Sequence, residues 1–237
     1  MRQVKLLAFD ILGTVFDIKG SLVNKLSKFG HDKGLKMDWS ALADSWINKY
    51  VAGVDEIRHG RHKWETSDSI IRSKLEVILL EHSLGGIGQL EKDQLNSIWH
   101  CLSPWPDSVK GLKKLSTRFR IVTLTNANIS MVQDLSANAK LSWDEFLSAE
   151  HIERYKPDPH VYRMAINRLG FLPGEIMLVS TDKSDLKAAM AEGLKTAFIQ
   201  RLSRRRRIWH RMIRPSVENS FHVVAYDFID LYKKICA

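Results

Sequence analysis

The chain opens on Val4-Lys5-Leu6-Leu7-Ala8-Phe9, an apolar run that stops at Asp10 and the turn signal Gly13-Thr14. A short run without polar alternation is buried on both faces, which is the signature of an inner strand in a parallel sheet. Runs of the same kind recur at residues 119–124, 175–179 and 196–199, and Val223-Val224-Ala225 reads as a last short strand. Stretches with helical spacing separate them: Val109, Leu112 and Leu115; Met131, Leu135 and Ala139; Val161, Ala165, Ile166 and Leu169; Ala188, Ala189 and Ala191. Strands alternating with helices predict an α/β fold, a Rossmann-like, doubly wound parallel sheet.

Between the first two strands, residues 21–99 read mostly as helix. Leu22, Leu26 and Phe29 form one stripe, Leu42, Trp46 and Tyr50 a second, and Ile70, Ile71, Leu75, Ile78 and Leu79 a third. Gly85-Gly86-Ile87-Gly88 breaks the pattern before Leu95, Ile98 and Trp99 resume it. A helical block inserted behind the first strand predicts a cap over a core. The expected division is a core of residues 1–17 and 101–237 and an inserted helical cap of residues 18–100.

Parallel strands joined by right-handed crossovers bring their carboxyl ends to one edge, where open α/β sheets bind ligands. Asp10, Thr125-Asn126, Ser180 and Asp185 follow strands, and Lys156 lies in the proline-bounded loop Lys156-Pro157-Asp158-Pro159. Singly, each admits a structural role: an acid ending a strand, a polar pair capping a helix, a solvated lysine, or an N-cap at Asp182 or Asp185. Together they suit covalent catalysis by a carboxylate. Asp10 would attack, Lys156 would keep it ionised, Thr125 and Asn126 would hold an anion, and Asp185 would fix Lys156 or help activate water.

The segments Phe9-Asp10-Ile11-Leu12-Gly13-Thr14-Val15-Phe16-Asp17, Leu124-Thr125-Asn126, Lys156-Pro157-Asp158 and Val179-Ser180-Thr181-Asp182-Lys183-Ser184-Asp185 resemble the haloacid dehalogenase superfamily. Within it, the loop running from Lys156 to Tyr162 and the tail around Phe221 and Phe228 look most like the L-2-haloacid dehalogenases. The resemblance implies a hydrolase that releases halide through an Asp10 ester and yields a 2-hydroxy acid, with no cofactor. In that scheme Lys156, Ser180 and Asp185 orient Asp10 and the water. Thr125 and the amides of Ile11 and Leu12 receive the substrate carboxylate, Asn126 cradles the halide, and Tyr162 supports Lys156 or the pocket. Trp46, Ile47 and Asp182 join the substrate-binding set by position.

The superfamily's phosphatases carry an acid two residues after the nucleophile and another four before the last carboxylate. This chain has Leu12 and Thr181 there, which thins the oxygen set that Mg²⁺ prefers. A phosphatase with a weakened Mg²⁺ site is the alternative, and a silent binding protein the other. Two positions depart from the dehalogenase pattern: Ile47 stands where relatives have an arginine that draws off halide, and Asp182 where they tend to have asparagine. Lys49 and Arg58 are the candidate replacements for the arginine.

The formal net charge of +9 comes largely from Arg201-Leu202-Ser203-Arg204-Arg205-Arg206-Arg207 with His210, Arg211 and Arg214. No aromatic-interleaved basic motif of a known nucleic-acid module accompanies it, so it reads as a solvated basic loop or helix face, and the expected partner is a small anionic 2-haloacid. No apolar run reaches the roughly 18 residues of a membrane span. No leader pattern follows Met1, and Cys101 and Cys236 make neither a disulfide framework nor a metal site, so the expected location is cytoplasmic. Relatives are commonly homodimers; the cap tryptophans Trp39, Trp46 and Trp64 suit either a dimer contact or core packing.

Overall fold

A computed structural model of the chain describes residues 4–201 and 220–236. The basic residues at 204–207, 210, 211 and 214 lie outside the described residues. The first apolar run folds as β1 (Leu6–Phe9), two residues shorter at its start than the sequence predicts, and is wholly buried. Beyond Asp10 a turn at Gly13, whose φ of 84° suits only glycine, leads into β2 (Phe16–Asp17).

The insertion then runs through α1 (Ile18–Asp32), α2 (Trp39–Arg58), α3 (Ser67–Glu81) and α4 (Gln89–Asn96). Side chains of Asp17, Asp38 and Thr66 accept the first free amides of α1, α2 and α3, which fixes where each helix starts. A tight 3-10 turn, Ser97–Cys101, follows, and β3 (Ser103–Pro104) pairs antiparallel with β2. This two-residue ribbon is the neck that carries the chain out to the insertion and back. It escapes sequence reading because two residues hold no periodicity.

The main fold continues with α5 (Ser108–Leu115), β4 (Arg120–Thr123), α6 (Ile129–Ala139), α7 (Pro159–Leu169), β5 (Ile176–Ser180), α8 (Lys183–Ala191), β6 (Lys195–Ile199), β7 (Val223–Ala225) and α9 (Phe228–Ile235). The five-stranded sheet has the order β4-β1-β5-β6-β7, with every pairing parallel. The strand order reverses at β1, which has β4 on one side and β5 on the other. Asp10 therefore stands at the crevice of a topological switch point. The segment around Glu145 and Ser148, expected only as a connector, bridges in parallel to Val122 and Thr125 and so lines the outer edge of β4. No helix among the described residues is long and apolar enough to cross a membrane.

The insertion is held to the rest of the chain by His100. One ring nitrogen lies 2.9 Å from Asp68 on α3 and the other 2.6 Å from Asp134 on α6. An imidazole between two carboxylates makes both bonds only as the imidazolium. The Asp68 bond, and secondarily Asp134, raise its pKa from 6.5 to about 9 against the pull of burial. Because the folded value lies above the unfolded one, the stabilisation is complete below pH 6.5 and is lost as pH rises through about 9. Asp134 is more than half exposed, which screens its share. His100→Gln is expected to lower stability by about 1–2 kcal/mol near pH 6 and by little near pH 10, as read by denaturant titration at both pH values.

Candidate active site

β1, β4 and β5 deliver their ends side by side, and the loop before α7 closes over them. Lys156 is the hub. Its Nζ donates to Asp10 Oδ1 at 2.9 Å, to Asp185 Oδ2 at 2.7 Å and to the Leu124 carbonyl at 2.8 Å. All three protons of the ammonium are thus used, two on carboxylates. The side chains of Lys156 and Asp185 are 4% and 3% exposed, against 13% for Asp10, so the solvent-facing member is the candidate nucleophile. Burial pushes the Lys156 ammonium down, but the Asp10 and Asp185 carboxylates outweigh it and hold the pKa above the ordinary lysine range. Burial raises Asp185 against the pull of Lys156.

The other Asp10 oxygen, Oδ2, accepts the Thr14 hydroxyl at 2.7 Å. Thr14 Oγ1 in turn accepts the Thr181 amide at 3.0 Å, tying the β1 loop to the end of β5. Tyr162 donates to Asp185 Oδ1 at 2.7 Å, so its hydroxyl supports the buried acid directly and Lys156 through it. Asn126 Oδ1 accepts the Lys156 amide at 2.8 Å, and its Nδ2 lies 3.4 Å from the Lys156 carbonyl. Among the described residues, the backbone N–H groups of Ile11 and Leu12 donate to no acceptor, which leaves two amides beside Asp10 for a ligand anion.

The two acids at the start of α8 part company. Asp185 faces the lysine, whereas the exposed Asp182 caps its own helix, with Oδ1 accepting the Ser184 amide at 2.8 Å and the Ser184 hydroxyl at 2.7 Å. Ser180 is fully buried and accepts the Asp182 amide, and the buried Thr125 accepts the Ala127 amide. Both hydroxyls therefore keep their own protons to donate.

Trp46 corrects the sequence reading. It is fully buried inside the insertion, donates its indole N–H to the Ile71 carbonyl and meets Trp99 edge-on, so it is core rather than pocket wall. Trp39, Trp64 and Ile47 are partly buried against the same core. The candidate replacement cations are engaged elsewhere: Lys49 pairs with Glu81 at 2.8 Å and Arg58 with Asp55 at 2.6 Å. A cavity of about 550 Å³ opens between the end of α2 and the residues before α7, lined by Arg58, Trp64, Tyr155 and Pro157 among others. Its lining includes Tyr155 and Pro157, on either side of Lys156, but none of Asp10, Thr125, Lys156 or Asp185.

Sequence reasoning missed Thr14 and the contact that the insertion makes with the core. Ser67 Oγ donates to the Asn126 carbonyl at 2.7 Å, and Asn128 exchanges bonds with Asp68. The first turn of α3 thus grips the strand-end segment that carries Thr125 and Asn126. Tyr50 stands behind Ser67 at 3.1 Å, its phenol pushed up to about 12 by burial.

A parallel sheet with a buried carboxylate–ammonium–carboxylate set at its switch point, under a helical insertion, defines a class. The chain belongs to the haloacid dehalogenase-like hydrolases, whose family model matches residues 4–193. It is 31% identical over 199 residues to (S)-2-haloacid dehalogenase 4A of Burkholderia cepacia, covering 81% of each chain. Among solved structures, a defluorinating L-2-haloacid dehalogenase superposes with a TM-score of 0.88 at 32% identity, covering 99% of this chain and 96% of that one. Another L-2-haloacid dehalogenase gives 0.87 at 30% identity, covering 98% and 99%.

Proposed function

We propose that this protein hydrolyses short 2-haloacids through an Asp10 ester, without a metal. An Asp10 carboxylate oxygen attacks the carbon bearing the halogen, the carbon–halogen bond breaks, and halide leaves with inversion. Water then adds to the Asp10 carboxyl carbon, releasing the 2-hydroxy acid and a proton and restoring the carboxylate. Lys156 pairs with the Asp10 carboxylate at 2.9 Å for the first step and stabilises the charge on its carboxyl oxygens in the second. The free amides of Ile11 and Leu12, with the Thr125 hydroxyl, receive the substrate carboxylate. Asn126 meets the halide, and Ser180 and Asp185 orient the water.

The observation that carries this reading is Leu12. A departing alkoxide needs a proton from a nearby acid, and leucine has none to give. Halide is so weak a base that it leaves unprotonated. The donor set is also thin for Mg²⁺, which prefers several oxygen ligands: Thr181 stands where a further acid would help hold it, and the Asp182 Oδ1 is used in capping α8. With Ile47 in place of a cap arginine, the leaving halide gains little charged assistance, so rate is expected to follow leaving-group ability: bromoacetate over chloroacetate, and both far over fluoroacetate.

The test is halide release from L-2-chloropropionate and the three haloacetates in EDTA. Release that survives EDTA in that order supports the proposal. No release, together with Mg²⁺-restored cleavage of an aryl phosphate, overturns it in favour of a phosphatase. Neither activity overturns it in favour of a binding role.

A further inference from the structure

The loop that follows Asp10 is held from outside by side chains that the reaction does not touch. Three consecutive carbonyls of that loop each accept a side-chain donor. The Trp105 indole N–H reaches the Gly13 carbonyl at 3.0 Å, and the Ser108 hydroxyl reaches the Val15 carbonyl at 2.7 Å. Between them, Arg201 places Nε at 2.9 Å and Nη2 at 2.6 Å from the Thr14 carbonyl. These donors come from three places: after β3, the start of α5, and the end of β6.

Arg201 is built in. Its side chain is 7% exposed, its Nη1 pairs with Asp107 Oδ1 at 2.5 Å, and its guanidinium lies 4.4 Å from the Phe228 ring centre. Asp107 Oδ2 accepts the Phe228 amide at 2.9 Å, which locks the acid that orients the arginine. The Arg201 backbone has a φ of 37°, in the left-handed region that a branched-off side chain adopts at a cost. Strain at a residue whose side chain grips a catalytic loop marks a position held there by the surrounding structure.

We propose that Arg201, with Trp105 and Ser108, is a positioning group for the Asp10 carboxylate. The route is short. The clamp fixes the Thr14 backbone, Thr14 Oγ1 holds Asp10 Oδ2, and Lys156 holds Oδ1, so the carboxylate plane is set from both sides. The loop's own amide bonds, Val15 and Phe16 to the Ile11 carbonyl and Gly13 to the Phe16 carbonyl, close it on itself, and two backbone amides from outside reach it, Trp105 to the Val15 carbonyl at 3.0 Å and Thr181 to Thr14 Oγ1 at 3.0 Å. Among the described residues the Thr14 carbonyl is held by Arg201 alone, so without the clamp the Thr14 backbone loosens and only the Thr181 amide steadies the hydroxyl that holds Asp10 Oδ2. A misplacement of about 1 Å at an attacking atom costs on the order of 100-fold in rate. Lysine cannot replace the arginine, because one ammonium cannot bond a carbonyl in two places, pair with Asp107 and cover a ring at once.

The kinetic part of the test rests on the proposed dehalogenation, and the exchange part does not. Arg201→Lys and Trp105→Phe are compared with wild type by kcat and KM for L-2-chloropropionate, by thermal unfolding, and by hydrogen exchange of a peptide spanning residues 11–16. Trp105→Phe keeps an aromatic side chain while losing the indole N–H and its five-membered ring; Trp105 is only partly buried, so the variant is expected to fold and to melt within a few degrees of wild type. The expected result is faster exchange in the 11–16 peptide of both variants. Expected with it is a kcat loss on the order of 100-fold for Arg201→Lys and about 10-fold for Trp105→Phe, with KM little changed. Unchanged kcat in Trp105→Phe, or a rise in KM alone, overturns the proposal. If the wild type releases no halide, the function reading fails by itself. Unchanged exchange in Trp105→Phe then overturns the clamp, and faster exchange supports it.

Discussion

Asp10→Asn is expected to lower halide release by roughly 10,000-fold or more while leaving the fold intact. The amide is nearly the size of the carboxylate, and with its oxygen kept on the Lys156 ammonium its NH₂ can donate to the Thr14 hydroxyl, which now reaches Oδ2 at 2.7 Å. What it loses is the negative charge and the lone pair that, in the proposed reaction, attacks carbon. Stability should hold or rise. Lys156 faces two carboxylates, and removing one leaves a neutral buried pair with Asp185 at 2.7 Å. The check is halide release beside a melting curve, with a companion experiment in water labelled with heavy oxygen. In the wild type the label should enter the Asp10 carboxylate in the first turnover and reach the product only in later ones. Label appearing in product during a single turnover would mean that water attacks the substrate directly. Asp10 would then be a base rather than a nucleophile.

The core of this site is legible in the sequence because strand ends are. A buried apolar run that stops at an acid, a polar pair or a hydroxyl states both where the strand ends and which group it delivers. Asp10, Lys156 and Asp185, distant in sequence, meet within 3 Å of one ammonium for that reason. What stayed hidden depends on which way a side chain turns. Asp182 and Asp185 occupy the same helical start, and the sequence puts both in the site; packing turns Asp185 onto Lys156 as expected but makes Asp182 the cap of α8. Trp46 lies on a helix face whose period marks it as apolar without saying whether it meets a substrate or Trp99. Arg201 heads a run of arginines and reads as one more solvated charge. Its partner Thr14 is 187 positions away, a separation that no local pattern records.

In the proposed reaction the ammonium of Lys156 serves both structure and chemistry, and the two separate in a double variant. Lys156→Met leaves Asp185, buried from solvent, and Asp10 facing each other with no cation between them. Breaking a buried ion pair from one side costs about 3–5 kcal/mol. For a chain of this size that lowers the melting temperature on the order of 10 °C. Burial already raises the Asp185 pKa, and loss of the lysine raises it further. A carboxyl whose folded pKa lies above its unfolded one is favoured protonated, so the variant's deficit should shrink as pH falls toward 4. Adding Asp185→Asn to Lys156→Met removes the stranded charge. The double variant should regain most of the lost stability and none of the activity, because Asp10 still lacks the cation that pairs with it and that, in the proposed reaction, steadies the ester's carboxyl oxygens. Melting curves at pH 5 and 8 and halide release on the single and double variants test this. Activity returning with stability would mean that Lys156 only holds the fold. A single variant that melts like the wild type would mean that the buried triad contributes nothing net to folding. The expected split, stability restored and turnover still absent, places Lys156 in the chemistry as well as in the core.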